Sequence, residues 1–164
     1  DFTWKKPSRR SWGGCYIFPG TNTDKHIKLG IAIDTSGSVG DKQVQEFLGH
    51  ITKIMHSFKS FEIDIWCFST QVHEDTLKTY TKPTQDQIKN FQLNSFGGTE
   101  IESNFRWIEE NKKKYDVFIC LTDGYDCIDN LKFDYCPVIW GITGNENFQN
   151  PSGVHRAKMM RLEF

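Results

Sequence analysis

The sequence predicts an α/β domain built on a doubly wound, mostly parallel sheet with helices on both faces. Three observations lead there. Short, nearly continuous apolar runs at residues 27–33 (IKLGIAI), 116–121 (DVFICL) and 136–142 (CPVIWGI) suit strands covered on both sides. Segments of helical periodicity separate them, so strands and helices alternate along the chain. Right-handed crossovers between such strands then build the doubly wound form.

Taken in order, residues 1–25 are rich in Gly, Pro, Ser and basic residues and read as an irregular lead-in arm, with residues 26–164 as the domain proper. The first strand, 27–33, ends at the turn Asp34-Thr35-Ser36-Gly37-Ser38-Val39-Gly40. A helix follows, with Val44, Phe47, Leu48, Ile51, Ile54, Met55 and Phe58 on one stripe and Asp41 as its expected N-cap. Residues 61–68 (FEIDIWCF) alternate as a second strand. Residues 72–80 return beside it as a hairpin, because Ser69-Thr70-Gln71 leaves only a short loop. A short helix is expected at 85–90, a break at Gly97-Gly98, and another helix marked by Ile101, Phe105 and Ile108. The buried strand 116–121 leads into Thr122-Asp123-Gly124, residues 136–142 form the next strand, and 158–164 a last edge strand.

Composition bounds the function. A chain of 164 residues with 37% hydrophobic and 14% aromatic content can close a single core without disulfides or a structural metal. No apolar run approaches the roughly 20 residues a bilayer span requires, so no membrane association is expected. Lys+Arg (20) and Asp+Glu (21) nearly cancel to a net charge of −1, which gives no electrostatic case for nucleic acid. The basic cluster Lys5-Lys6-Pro7-Ser8-Arg9-Arg10 reads as a solvated surface segment. No secretory signal pattern precedes the domain, and the chain reads as a fragment of a longer polypeptide. Cys15, Cys67, Cys120, Cys127 and Cys136 are odd in number and lack CxxC spacing. Free thiols in a reducing, cytoplasmic setting explain them better than a disulfide framework or a zinc site, since the five histidines are scattered.

The chemistry is expected where the winding of such a sheet reverses, beyond the carboxyl ends of the strands. Asp34 and Asp123 each stand just past a buried strand. If those strands are neighbours, about 4.8 Å apart, both carboxylates reach one ion. Two unpaired carboxylates that close repel, and a divalent cation between them removes the conflict. Ser36 and Ser38 follow Asp34 at +2 and +4, and Thr99 follows the Gly97-Gly98 break. Hydroxyls and carboxylates are hard oxygen donors, suited to Mg²⁺, Mn²⁺ or Ca²⁺ rather than zinc. Each element alone is a common turn or helix cap. Together, in this order and at these boundaries, they specify a metal site.

These residues resemble the metal-ion-dependent adhesion site (MIDAS) of von Willebrand factor A (VWA) domains. That site pairs DxSxS after the first strand with a Thr and an Asp on later loops, matched here by Asp34, Ser36, Ser38, Thr99 and Asp123. The resemblance spans about residues 27–142. A narrower one, carried by Trp4, Pro7-Ser8-Arg9-Arg10, Pro19-Gly20, Leu121-Thr122-Asp123-Gly124, Pro137-Val138-Ile139-Trp140 and Pro151-Ser152-Gly153, is to bacterial and phage VWA-like proteins. In those proteins the domain follows a metallopeptidase-like region, and relatives occur beside MoxR-type AAA+ ATPases. No HExxH occurs in this chain, and Glu100 stands where the pattern has Asp.

The resemblance implies a Rossmann-like fold and a non-enzymatic protein-binding module whose Mg²⁺, Mn²⁺ or Ca²⁺ bridges to an acidic side chain of a partner, with a MoxR-type ATPase as candidate. It implies direct metal contacts from Ser36, Ser38 and Thr99. It also implies partly water-mediated ones from Asp34 and Asp123, with Gly37, Gly97 and Gly98 giving the backbone close approach. Asp126, Tyr125 and Trp140 are expected near the site edge, where they would shape partner choice; the plainer reading makes Trp140 core and Tyr125 a surface turn residue. The rival reading is a Mg²⁺-dependent hydrolase of phosphatase type with Asp34 as nucleophile, although Ser36 occupies the place of the usual second Asp. A third is a structural domain whose site binds nothing tightly.

Overall fold

The structure is a computed structural model and describes residues 2–7, 19–21, 26–37, 41–58, 60–81, 97–128 and 130–162. Strands β1 (Phe2–Pro7) and β2 (Pro19–Thr21) pair antiparallel as a separate two-stranded ribbon. The lead-in segment is therefore not wholly irregular; its Gly/Pro-rich composition concealed two short extended stretches.

Among the described residues, six further strands make one mixed sheet. They are β3 (Ile27–Asp34), β4 (Phe61–Phe68), β5 (Val72–Tyr80), β6 (Val117–Thr122), β7 (Val138–Ile142) and β8 (Ala157–Arg161). Their order is β5-β4-β3-β6-β7-β8, with only the β4–β5 pair antiparallel. The order runs outward from β3 in both directions, so the crevice at its carboxyl end, between β3 and β6, is the switch point.

Strand alternation divides the core. One face of the sheet presents Leu29, Ile31, Ile33, Ile63 and Ile65. Against them helix α1 (Asp41–Ser57) buries Phe47, Leu48, Ile51 and Met55. Asp41 is the first helical residue rather than a cap outside the helix, and Phe58 falls beyond its end, 36% exposed. The other face presents Ala32, Trp66, Phe118, Cys120 and Trp140. Helix α2 (Glu102–Glu110) covers it with Phe105, Trp107 and Ile108. Around α2 the irregular stretch between β6 and β8 adds Ile128, Leu131, Phe133, Phe148 and Val154.

The aromatic layer is contiguous: Trp66 stacks on Phe118 at 5.7 Å, and Phe105 meets Phe118 and Phe133 edge-on at 5.2 and 4.8 Å. Trp66 keeps its indole N–H satisfied by donating to Asn104 Oδ1 at 2.8 Å.

Strand ends shift from the sequence reading for local reasons. Asp116 lies just before β6, where its carboxylate accepts the Lys28 N–H and its own N–H donates to the Lys28 carbonyl. Pro137, which lacks an N–H, precedes β7. The helix expected at 85–90 and the cysteine at position 15 lie outside the described residues. Among the described residues, Cys67, Cys120, Cys127 and Cys136 form no disulfide. Burial pushes the Cys67 thiol up to about 12 and the Cys136 thiol to about 11, which keeps both in the unreactive protonated form. No described helix is long and apolar enough to cross a membrane.

Candidate metal centre

Register brings the first two elements of the site together. Ile33 pairs with Leu121, so Asp34 at the end of β3 stands opposite Thr122 at the end of β6. The Thr122 hydroxyl donates to Asp34 Oδ2 at 2.6 Å, and the Ser36 N–H donates to Asp34 Oδ1 at 2.9 Å. Both carboxylate oxygens are therefore oriented, and the residue is fully buried. That burial raises the Asp34 carboxyl above the usual carboxylate range. Hydrogen bonds from Thr122 and Ser36 oppose the rise, and the negative charge of Asp123 adds to it.

Asp123 is 3% exposed. Its Oδ1 accepts the Tyr125 N–H at 3.2 Å, whereas its Oδ2 is buried with no hydrogen-bond partner. A buried, unpartnered carboxylate oxygen is costly, and a second carboxylate close by makes it more so. The loop is held rigidly nonetheless. Thr143 and Asn145 donate backbone N–H groups to the Thr122 and Asp123 carbonyls, and Asn145 Nδ2 donates to the Gly124 carbonyl at 2.7 Å. Gly124 sits at φ +77° with Phe148 and Ile142 where a Cβ would point, so this sharp turn requires glycine.

The third element lies at the same rim. The Glu100 N–H donates to the carbonyl of Ser69, just beyond β4, and the Ile101 N–H donates to Asp126 Oδ2, three residues after Asp123. Thr99, half-buried, immediately precedes these anchors. Gly98 adopts φ +84°, and a Cβ there would come 2.9 Å from Thr70 Cγ2. Gly37 and Gly97, by contrast, face open space.

Of the residues expected to hold a cation, Asp34, Ser36 and Asp123 thus gather beyond adjacent strand ends. Thr99 stands on the loop tied to both flanking strands. Ser38 lies outside the described residues. No group of three or more His, Cys, Asp and Glu suited to a metal occurs among the described residues, so a cation here would rest on two carboxylates and hydroxyls. The donor set fits a hard divalent cation, and the unpartnered Asp123 Oδ2 is the atom such an ion would satisfy.

Of the two places weighed for Trp140, the structure has the core: it is wholly buried on β7, with its Nε1–H donated to Asn150 Oδ1 at 2.8 Å. Tyr125 is 67% exposed beside Asp123. The Glu100 carboxylate pairs with Arg106 at 2.7 Å on the surface. Thr122 escaped the sequence reading because Thr-Asp-Gly reads as a turn; only the register reveals that it orients Asp34. Thr122→Val keeps the shape but removes both the bond to Asp34 and the acceptor of the Gly124 N–H. Urea titration is expected to show a loss of about 1–3 kcal/mol, and an unchanged midpoint would contradict the orienting role.

Residues 29–160 match the family described as VWA-like domain (DUF2201). No curated protein matches the chain significantly. Among solved structures the chain is similar to a von Willebrand factor type A protein from Catenulispora acidiphila (10% identity, TM-score 0.56), covering 90% of this chain and 40% of that one. It is also similar to the conserved hypothetical protein BatB from Bacteroides thetaiotaomicron (12% identity, TM-score 0.53), covering 71% and 66%. A third is an aerotolerance-related membrane protein from Bacteroides fragilis (11% identity, TM-score 0.51), covering 79% of each. At these identities the likeness is one of fold.

Proposed function

The chain belongs to the VWA-like domain family, and on that premise we propose that it is a protein-binding module that captures an acidic side chain of a partner through a divalent cation. The observation that carries this reading is the unpartnered, buried Asp123 Oδ2 beside the buried Asp34 at the switch point of the sheet. Asp34, Ser36, Ser38, Thr99 and Asp123 would hold Mg²⁺, or Mn²⁺ or Ca²⁺ in its place. When bound, the cation supplies a positive coordination site for an incoming carboxylate.

The chain's own residues do the rest. Thr122 and the Ser36 N–H fix the direction of the Asp34 carboxylate, and the 143–145 loop fixes the height of Asp123 above the sheet. Two protein carboxylates only just neutralise a dication, so attraction for a third, from the partner, remains. Tyr125 presents an exposed ring at the rim, the kind of aromatic that anchors protein interfaces. The resemblance to MoxR-associated proteins makes an AAA+ ATPase the candidate partner, and the buried, protonated thiols of Cys67 and Cys136 suit a reducing cytoplasm. A hydrolase that uses Asp34 as nucleophile is disfavoured because Ser36 occupies the place of the second Asp that such enzymes use two residues later.

Asp34→Ala is expected to abolish Mg²⁺ and Mn²⁺ binding in a calorimetric titration while far-UV circular dichroism stays that of a folded chain. Unchanged binding heats in that folded variant would refute the assignment.

A further inference from the structure

Asp126 was expected near the site edge, and each of its carboxylate oxygens accepts one backbone N–H. One oxygen accepts the Ile101 N–H and the other the Cys127 N–H, each at 2.7 Å. Ile101 opens α2 and has no side-chain cap of its own, so a residue 25 positions later in the chain satisfies that helix end. A carboxylate at a helix N-terminus is also favoured by the helix dipole. The consequence reaches beyond the cap. Asp126 lies three residues after Asp123, and Ile101 two residues after Thr99. This bond therefore ties the loop carrying one candidate ligand to the loop carrying another. On the opposite side the same loop is held by the Glu100 N–H to the Ser69 carbonyl at 2.8 Å.

We propose that Asp126 is a positioning residue that sets the separation of the Thr99 and Asp123 loops and thereby the cation affinity of the centre. The proposal rests on the reading of that centre as a cation site. Residues just outside a metal's ligand set that orient it typically change affinity by about 10- to 100-fold when lost. Asp126→Ala leaves the Ser69 anchor in place, so the loop is loosened on one side only. Asp126→Asn retains one acceptor oxygen and loses the other, so it stands between.

The test is Mn²⁺ titration of the full chain, followed by the electron paramagnetic resonance signal of the free ion. Asp126→Ala is expected to raise the Mn²⁺ Kd about tenfold or more, with Asp126→Asn intermediate. Ile63→Val, on the opposite face of the sheet, serves as a purely destabilising control expected to leave Kd unchanged. A folded Asp126→Ala variant with the parent's Kd, differing from it only in melting temperature, would reduce Asp126 to a helix cap and overturn the positioning role while the cation site stands. Failure of the unaltered chain to bind Mn²⁺ would overturn both.

Discussion

Asp123→Asn is expected to yield a protein more stable than the parent in chelator and less stable in saturating Mg²⁺. The reversal follows from the Asp123 carboxylate. Without a cation it buries an oxygen that nothing satisfies, and its charge adds to the burial that already lifts the Asp34 carboxyl. Asparagine keeps an oxygen for the Tyr125 N–H and removes the charge. Its amide nitrogen takes the place of Oδ2, and removing one buried like charge beside Asp34 is worth about 1 kcal/mol, or roughly 2–4 °C in Tm for a chain of this size. With Mg²⁺ at 100 times its Kd the parent gains about 2.7 kcal/mol by mass action, and the variant does not share it. Melting curves in chelator and in Mg²⁺ decide the matter. A variant that is less stable in both conditions would show that Asp123 serves the fold rather than an ion.

Phe105→Ala is expected to cost about 3–5 kcal/mol, a large share of the roughly 5–15 kcal/mol that holds a domain together. The ring is 2% exposed and sits at the centre of the aromatic layer, with Phe133, Phe118 and Trp140 centroids at 4.8, 5.2 and 5.6 Å. These neighbours are large and rigid, so they cannot collapse into the space left behind. Phe105 is also the side chain that pins α2 to the sheet just after the Thr99 loop, so its loss should loosen that loop. Urea denaturation gives the stability directly. A loss below about 1 kcal/mol would mean that the layer repacks, against the behaviour of close-packed cores.

Much of this fold was legible in the chain. The strand at 61–68 and the hairpin return at 72–80 match β4 and β5 residue for residue, because alternating FEIDIWCF and a three-residue polar loop leave few other arrangements. Helix α1 followed from its apolar stripe, and Asp34 and Asp123 followed from their places after buried runs. What escaped depends on register and on distance along the chain. Thr122 acquires its role only because β3 and β6 align Asp34 opposite it. Asp126 acquires its role only because a helix end 25 residues earlier lacks a cap. Trp140 admitted both a core and a rim reading because it stands two residues before the end of β7. Strand alternation turns it into the aromatic layer, where it meets Phe105 and Phe148. The two short strands of the lead-in carry too little apolar pattern to announce themselves.

The central claim is that oxygens from three separated stretches of the chain hold one divalent ion. Anomalous scattering from crystals grown with Mn²⁺ tests it most directly. A single strong peak about 2–2.5 Å from the Ser36 and Thr99 hydroxyl oxygens, with the Asp34 and Asp123 carboxylates around it, is the predicted result. Well-ordered crystals at saturating Mn²⁺ with no peak in that crevice would contradict it.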